Sequence, residues 1–373
     1  VEPRSEVIQR LPDRAVDGTV ILPGAASRIR SDLPLTAVQY NPLAYDTYTA
    51  DASLLLPGPG LDDEHVIPAQ PGGDYGESTL VVVAARDGVE ITVTPACHTA
   101  AGDEISGGVA GVAMAPVVLD EGDALQLVGS AIGQNLAGTL VESSGPVAVF
   151  SGHPCVQVPE DQGYCDHLEE QIPGTRRWGT RAVAARLPSR TNPPERTVWQ
   201  VVAGPLGTTL TFEAGSDVVG VPGTPVDLSP LEVLELVVSG TEAEPGDFTV
   251  EGTEVFLLTQ YLVGYTVAGA GDPCMALTTP IDRFRESFWV YADPHMDSNH
   301  LTITRETGTT VEVNGTDIDA WPAGVQIAAA GGGYELARIA VNPGLYDLVG
   351  TAPFGLVVGG WSTYVSLCYA GGF

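Results

Sequence analysis

One stretch of the sequence concentrates the residue types that could do chemistry. From His153 to Gly179 it reads HPCVQVPEDQGYCDHLEEQIPGTRRWG, and it holds two of the five cysteines and two of the six histidines. Carboxylates, two consecutive arginines and a tryptophan follow the second cysteine. These residue types allow a structural disulfide, a metal site, a redox pair or a catalytic loop. Their spacing distinguishes among these possibilities.

Cys155 and Cys165 are ten positions apart across a loop of turn-forming residues, which favours a local disulfide. In an oxidising compartment, closing so short a loop would stabilise the fold by roughly 2–3 kcal/mol. Zinc is the alternative, because His153, Cys155, Cys165 and His167 form a possible set of two histidines and two cysteines. Structural zinc sites usually use longer spacings than the one between each histidine and its cysteine here. A redox pair would need a closer cysteine spacing than this one.

A catalytic interpretation would make His167 a general base that Asp166 orients. Adjacent residues on a strand point to opposite faces, however, which places these two side chains apart. The nearby hydroxyl groups of Ser151 and Thr175 carry no nucleophile signature, and G-x-S-x-G does not occur in the chain. The sequence therefore predicts no catalytic residues, and a hydrolase with a site between structural modules is the remote alternative.

The charges around these cysteines indicate a junction between structural units. We predict a junction of ion pairs and saturated backbone donors formed by Asp166, Glu169, Glu170, Arg176, Arg177, Trp178 and Arg181. In so acidic a chain the arginines would neutralise neighbours such as Glu169 and Glu170. A binding face for carboxylated or sulfated glycans, or for an acidic partner, is the alternative.

Two acidic loops elsewhere could hold calcium, because hard cations favour clustered oxygen ligands. Their candidate ligands are Asp62, Asp63, Asp293 and Asp297. Neither loop has the spacing of an EF-hand, so a solvated loop or a module junction is the preferred interpretation. No cofactor is expected.

Composition restricts the classes of function. The 373 residues carry a formal charge of −31, from 47 acidic and 16 basic residues, and all the basic residues are arginine. That charge repels phosphate backbones, so nucleic acid is not an expected partner. Without lysine, the chain cannot build a Walker-type phosphate loop or a Schiff-base site. No run of about 18 apolar residues occurs, so no membrane span is expected.

β-Strands are the elements that must position these residues. Period-2 alternation dominates, as in GVEITVTP (88–95) and TTLTFEAG (208–215), and no long amphipathic helix is evident. The 45 glycines and 29 prolines suit many short strands joined by turns. The predicted fold class is all-β, with tandem antiparallel β-sandwich modules and little helix.

Two patterns recur along the chain and predict its modules. A strand, a tight turn and an alternating strand occur three times, with turn glycines at Gly88, Gly207 and Gly308. A small-residue turn leading into an apolar strand occurs four times, at intervals of roughly 100 residues, the size of a sandwich module. We predict an N-terminal segment with a half-module that leads three modules in series, or closes them into a ring: 1–77, 78–195, 196–297 and 298–373.

The repeat also aligns cysteines. Cys165, Cys274 and Cys368 fall at one equivalent position of the three modules. If Cys155 pairs with Cys165, the pairing of Cys97, Cys274 and Cys368 stays open, since five cysteines leave one unpaired. A bridge between Cys274 and Cys368 would require loops of two modules to meet.

With these patterns in view, the chain resembles the N-terminal domain family of the IgG Fc-binding protein and its bacterial relatives. The resemblance covers the chain from about residue 18 to the end, and its most specific stretch is CDHLEEQIPGTRRWGTR (165–181). The other matching stretches are SDLPLTAVQYNPL (31–43), ADASLLLP (50–57), SSGPVAVFSGHPCVQVP (143–159) and YADPHMDSNHLTI (291–303).

The resemblance implies a secreted or surface-displayed, non-enzymatic binding or adhesion module. Its expected partner is a protein or a glycan at a cell surface or in the extracellular matrix. Antibody binding by this chain is not implied. The alternative is a structural subunit of a surface layer, appendage or filament, which would require self-assembly.

Overall fold

The computed structural model describes residues 5–12, 14–41, 49–102 and 104–373, and β-strands make up nearly all of its regular structure. Within these ranges the only α-helix is Tyr265–Ala268, and no helix is long and apolar enough to cross a membrane. The 3-10 helices of this part are Gly58–Gly60, Thr175–Arg177, Ile281–Arg283 and Ile318–Ala320. The predicted all-β fold class is confirmed.

The strands fall into three groups along the chain. The first group is β1 (Val20–Leu22), β2 (Val38–Asn41), β3 (Asp51–Leu54), β4 (Asp62–Val66), β5 (Thr79–Ala84), β6 (Val89–Thr94), β7 (Val117–Leu119), β8 (Ala124–Val128), β9 (Leu140–Val156) and β10 (Asp166–Ile172). The second is β11 (Gly179–Ala184), β12 (Thr197–Ala203), β13 (Thr208–Ala214), β14 (Val226–Leu228), β15 (Val233–Val238), β16 (Phe248–Tyr261) and β17 (Met275–Leu277). The third is β18 (Arg285–Ala292), β19 (Ser298–Glu306), β20 (Val311–Val313), β21 (Thr316–Asp317), β22 (Gln326–Gly331), β23 (Tyr334–Val341), β24 (Gly344–Trp361) and β25 (Ser366–Ala370). Apart from the hairpin of β2 and β3, each group forms one antiparallel sheet, called here the first, second and third module.

All three modules share one connection pattern, built around a long strand: β9, β16 or β24. The first half of the long strand pairs with the strand that enters the module (the incoming strand β4, β11 or β18) and with β6, β13 or β20. The second half pairs with β5, β12 or β19 and with the strand that leaves the module (the return strand β10, β17 or β25). Because the two halves have different partners, one sheet folds over itself into the two layers of a sandwich.

In three of its four copies, the small-residue motif predicted to be a turn is instead a bend within the long strand, whereas the first copy, near Ser31, lies before β2. Gly252 and Gly350 lie at this bend, and an added Cβ would come within 2.7 Å of Oγ1 of Thr208 and 2.6 Å of the ring of Phe354. The pairing register with the incoming strand shifts at the corresponding place in every module. A bulge of this kind redirects a strand without ending it. The prediction of a turn is wrong because glycine also serves bends inside strands.

The turn glycines Gly88, Gly207 and Gly308 have φ values of 65°, 70° and 89°, which confirms the positive φ predicted for them. The strands on either side of each glycine do not pair with each other. They flank the long strand, in the orders β5–β9–β6, β12–β16–β13 and β19–β24–β20. Each turn therefore carries the chain from one layer of the sandwich to the other.

The sheets cut across the predicted segment boundaries. Each module takes its incoming strand from the segment before it: β4 from 1–77, β11 from 78–195 and β18 from 196–297. In the second and third modules, the incoming strand follows directly on the return strand of the preceding module. The turn glycines lie after the incoming strand, so segments defined by these glycines leave that strand in the preceding segment. The incoming strand has no turn motif in the sequence that would mark a boundary before it.

The three return strands and β3 surround a common axis. β3 packs against β10 and β25, and β17 packs against the same two strands. The N-terminal segment thus supplies the fourth member of a closed ring, which is the ring variant of the predicted architecture. The cores are also continuous between modules: Ala52 belongs to the core of the third module, and Tyr261 of the second module belongs to that of the first.

Candidate functional site

Asp51 lies on β3 in the ring of return strands and is fully buried. Its Oδ1 accepts the backbone N–H groups of Ala52 and Cys368, at 2.9 and 3.2 Å. Its Oδ2 accepts those of Glu169 and Met275, at 3.3 and 3.0 Å. One carboxyl group therefore binds all three return strands. Burial raises the pKa of Asp51 well above its ordinary value, although the four N–H donors oppose that rise.

Two further buried carboxyl groups connect the same strands. Asp166 accepts the backbone N–H groups of Ala50 at 2.6 Å and of Ser366 at 3.2 Å. Glu170 accepts the hydroxyl of Ser53 at 2.9 Å. Burial raises the pKa of both carboxyl groups well above their ordinary values. Both side chains attach β10 to neighbouring strands, which is a structural role.

Asp166 and His167 do not form the dyad of the catalytic alternative. The ring Nε2 of His167 lies 3.3 Å from Nδ2 of Asn41, whereas the carboxylate of Asp166 faces the ring of return strands. Glu169 accepts hydrogen bonds from the side-chain amides of Gln39 and Asn41, at 2.9 and 3.0 Å. The side chains of this part of β10 therefore bind the hairpin of β2 and β3.

Cys155 and Cys165 are joined by a disulfide, with an S–S distance of 2.04 Å. This bond takes both thiolates that the zinc alternative requires. Of the two histidines in that set, His153 is buried and its Nδ1 accepts the backbone N–H of Cys155 at 3.1 Å. Burial and, to a smaller extent, the nearby His167 lower the pKa of His153 to about 4. The stretch thus forms a stapled loop at the end of β9.

The partners of Arg176 differ from those expected. It forms ion pairs with Asp62 and Asp63 of the incoming strand β4, and not with Glu169 or Glu170. The two glutamates are buried against the β2–β3 hairpin and the return strands, whereas Arg176 lies after the end of β10, in a 3-10 helix, and its side chain is exposed. Closeness in sequence to Glu169 and Glu170 did not predict the partners of Arg176, because β10 ends between the glutamates and the arginine.

The remaining residues of the predicted junction are each bound within the protein. Arg177 donates from Nε to a loop carbonyl before β4 at 2.7 Å. Arg181 lies 3.9 Å from a carboxylate oxygen of Asp282. Trp178 is buried, and its Nε1 donates to the carbonyl of Pro173 at 3.0 Å. These contacts join the segment from the end of β10 to the start of β11 with the 3-10 helices that precede β4 and β18.

The aspartates considered for calcium lie in two separate places. Asp62 and Asp63, expected in a loop, lie on strand β4, and both are bound by Arg176. In the second loop, Asp293 accepts the backbone N–H of His295 at 2.7 Å and lies 2.9 Å from Nδ1 of its ring, while Asp297 is exposed. In the described ranges, neither loop brings three candidate ligands together.

A second disulfide, between Cys274 and Cys368, joins the return strands of the second and third modules. The sequence left this pairing open, because it gave no sign that the two loops meet. Both sulfur atoms and a carboxylate oxygen of Asp51 lie within 4.8 Å of one another, the one such trio in the part of the chain described. Because the sulfurs are bonded to each other, they are not thiolate ligands. Cys97 is buried and unpaired.

Three tyrosines meet where the loops between long and return strands converge. Tyr164, Tyr265 and Tyr364 come from the first, second and third module, respectively. The rings of Tyr164 and Tyr364 are stacked, with centroids 5.4 Å apart, and Tyr265 lies 5.1 and 4.7 Å from them. Tyr164 is 51% exposed and Tyr364 is 36% exposed. We call this surface the tyrosine apex.

The loops that carry the tyrosine apex are bound to one another. Thr266 donates its hydroxyl to the carbonyl of Gly163 at 2.9 Å, which joins the first and second loops. The N–H of Gly271 donates to the carbonyl of Ser362 at 2.8 Å, which joins the second and third. The buried guanidinium of Arg190 also donates to two carbonyls of the second loop, at 3.0 and 2.8 Å. The tyrosines are therefore held in place before any partner binds.

Sequence reasoning missed the tyrosine apex. Each connection between a long strand and its return strand contains one of the tyrosines, in QGYC, VGYT and STYV. That recurrence was a usable signal. It was obscured because the three loops differ in length, and because only ring closure brings them together.

A family model described as "IgGFc binding protein" matches residues 51–360. The chain belongs to the IgGFc-binding protein family. The match begins at Asp51, the central carboxyl group, and contains Tyr164 and Tyr265 but not Tyr364.

A human relative in this family is named IgGFc-binding protein. It is 26% identical to this chain over 321 residues, which is 82% of this chain and 5% of the human protein. The chain thus spans only a small part of that relative's length. No solved structure matches the chain.

Proposed function

We propose that this chain is an extracellular, non-enzymatic binding module that recognises a macromolecule, either a protein or a glycan. The observation that carries the proposal is the tyrosine apex, where every module contributes one aromatic ring to a shared surface. Tyrosine provides a large contact area at a small cost in side-chain entropy and is enriched where proteins bind partners. Membership of the IgGFc-binding protein family supports a binding role.

The buried carboxyl groups with raised pKa values bind other parts of the protein. The buried carboxyl groups of Asp51, Asp166 and Glu170 bind backbone and hydroxyl groups that connect strands. General acid–base catalysis instead requires a carboxyl group within reach of a substrate proton. The raised pKa values in the ring therefore have a structural explanation.

The two disulfides support an extracellular location. Disulfides persist in oxidising compartments and are rare where thiols are kept reduced. Here one bond staples the loop of Tyr164, and the other joins the return strands that follow Tyr265 and Tyr364. The first bond thus lies in one of the loops that form the surface we propose to bind a partner.

The proposal is tested with the intact, disulfide-bonded chain on a panel of glycans and extracellular proteins. The panel includes IgG Fc, because the name of the human relative refers to it. We expect a ligand that binds the wild type and the Trp289→Ala variant equally but binds the Y164A/Y364A double variant less tightly. Trp289 is a matched control, since it is 41% exposed on β18, away from the apex loops. A panel without any specific ligand contradicts the proposal.

A second candidate function is that of a structural subunit in a surface assembly. In each module a strand at or next to the sheet edge exposes an apolar side chain: Val118 on β7, Val237 on β15 and Ile327 on β22. Unpaired edges of this kind can add strands from another copy. Light scattering at rising protein concentration tests this function. Growth of the molar mass that a V118K/I327K variant abolishes supports it, and a constant monomer mass contradicts it.

A further inference from the structure

We infer that the tyrosine apex binds an arginine side chain within a basic segment of a partner protein. This inference rests on the proposed binding function and specifies the chemistry of the partner. It follows from the arrangement of the rings, from the charge around them and from the rigidity of the loops.

The packing of the rings leaves outward surfaces for a ligand. Tyr164 and Tyr364 are stacked at an interplanar angle of 12°, so one face of each is covered by the other and the opposite face points away. Tyr265 meets both rings at steeper angles, 63° and 52°. Centroid distances near 5 Å leave no space for a ligand among the rings. A ligand must therefore lie over an exposed ring face, where the aromatic quadrupole attracts a cation.

The charge around the apex also favours a cation. Glu160 and Asp161 are exposed in the same disulfide-closed loop as Tyr164. Arg190, the arginine that reaches these loops, is bound to carbonyl groups and pairs with Glu195 at 3.0 Å. Its side chain is 1% exposed and its charge is paired with that of Glu195, so a ligand on the surface does not contact it. With a formal charge of −31, the whole chain attracts basic partners and repels sulfated or sialylated glycans.

Arginine fits this surface better than lysine. Its planar guanidinium stacks on an aromatic face while its N–H groups remain free to donate to carboxylates nearby. Glu160 and Asp161 precede Tyr164 by four and three positions, so the loop that presents this ring also carries carboxylates for a basic segment. Lysine offers a strongly hydrated point charge that gains less from stacking.

The loops are ordered before binding, so little conformational entropy is lost when the partner docks. The disulfide closes the loop of Tyr164, and hydrogen bonds join the three loops to one another. One guanidinium over one exposed ring gives a modest cation–π attraction, and two arginines of the basic segment, one over each outer ring face, together correspond to about a tenfold change in affinity.

The test is a titration of the intact chain with a short peptide in which three arginines alternate with glycine. Lysine and citrulline versions of the same peptide are the comparison ligands, and fluorescence anisotropy gives the dissociation constant. We expect the arginine peptide to bind most tightly and the uncharged citrulline peptide least. In 0.5 M salt, which we choose to screen diffuse attraction to the acidic surface, roughly half or more of the arginine preference over lysine should remain.

Variants then assign the binding to the apex. Y164A/Y364A should weaken arginine-peptide binding about tenfold at both salt concentrations, whereas Y164F/Y364F should retain it because the ring faces remain. The E160Q/D161N variant should weaken binding mainly at low salt. Trp289→Ala should leave the dissociation constant unchanged. Circular dichroism and thermal unfolding confirm that each variant is folded.

Several outcomes would overturn the inference. Unchanged affinity of folded Y164A/Y364A, or an equal loss in Trp289→Ala, would place the peptide elsewhere on the acidic surface. A glycan whose binding requires the apex, together with peptide binding that does not, would make the apex a sugar-binding platform instead. If the panel yields no macromolecular ligand while the peptide still requires the apex, the proposed function fails and only the preference of the apex for arginine is retained.

Discussion

The carboxylate of Asp51 accepts the backbone N–H of Cys368, 317 positions later in the chain, at 3.2 Å. The same side chain accepts N–H groups from Glu169 and Met275, so it connects all three return strands to β3. The closed ring therefore depends on a buried carboxyl group rather than on apolar contacts alone.

Replacing Asp51 with alanine should destabilise the whole fold. The change leaves backbone N–H groups from three return strands buried without an acceptor, and each lost partner costs about 1–3 kcal/mol. We expect the free energy of unfolding to fall by roughly 3–5 kcal/mol in urea denaturation. Asp63→Ala, which removes an exposed carboxylate of β4, is the control and should cost less than about 1 kcal/mol. Equal losses in the two variants would contradict the role assigned to Asp51.

The sequence predicted the strands and turns of the fold better than the contacts between its modules. Alternation identified the strands, and Gly88 identified a turn with positive φ, because both depend on local backbone geometry. Asp51 lies in ADASLLLP, a segment with no chemical signature, and its importance comes from strands over 100 residues away. Likewise Tyr164 and Tyr364 are neighbours only because three modules close into a ring. Such contacts follow from topology, which alternation does not determine.

The two disulfides should differ in their contributions to stability. Cys155–Cys165 closes a sequence separation of 10 and Cys274–Cys368 one of 94. By chain entropy, the longer loop gives about 4–5 kcal/mol and the shorter about 2–3 kcal/mol. We expect C274A/C368A to lose roughly 2 kcal/mol more than C155A/C165A in urea denaturation. An equal or reversed order would show that contacts in the folded state outweigh loop closure.

The Cys155–Cys165 bond should also affect the tyrosine apex. Without it, the loop of Tyr164 has more conformations to lose when a partner binds. We expect C155A/C165A to bind the arginine peptide several-fold more weakly than wild type, with a larger entropic penalty in calorimetry. C274A/C368A, if it remains folded, is the matched disulfide control and should retain more of the affinity. Wild-type affinity in C155A/C165A would contradict pre-ordering by this bond.

Asp272 should make stability depend on pH. It accepts the backbone N–H of Tyr265 at 2.8 Å, and burial raises its pKa from 3.8 to about 6. The folded state therefore holds this proton more tightly than the unfolded state. The resulting stabilisation is present below pH 3.8 and is lost as the pH rises through about 6.

The difference between wild type and Asp272→Asn isolates that effect from other groups. Buried histidines act in the opposite direction, since burial lowers the pKa of His65 and His300 to about 4. We expect the wild-type advantage in unfolding free energy to shrink between about pH 4 and pH 7. Asp282→Asn, which removes an exposed carboxyl group, controls for the change of surface charge. Parallel stability curves for wild type and Asp272→Asn would rule out the pKa shift as a source of pH dependence.

The ion pair between Arg338 and Asp247 should hold the second and third modules together. Its side chains are both 2% exposed, and Arg338 of β23 also donates from Nε to the carbonyl of Arg186 at 2.9 Å. Removing one member leaves the other charge buried and unpaired, which typically costs 3–5 kcal/mol. We therefore expect Asp247→Ala to lower the unfolding free energy by about that amount.

The exposed pair of Arg28 and Glu121 provides the control for Asp247→Ala. Its side chains are 58% and 45% exposed, so solvent screens the attraction and Glu121→Ala should cost less than about 1 kcal/mol. Raising the salt concentration should further reduce the loss of unfolding free energy in Glu121→Ala. It should leave the loss in Asp247→Ala nearly unchanged, because buried charges are screened much less. Urea denaturation at two salt concentrations measures both. A loss in Asp247→Ala that is as small and as sensitive to salt as that in Glu121→Ala would mean that solvent reaches the junction between the modules.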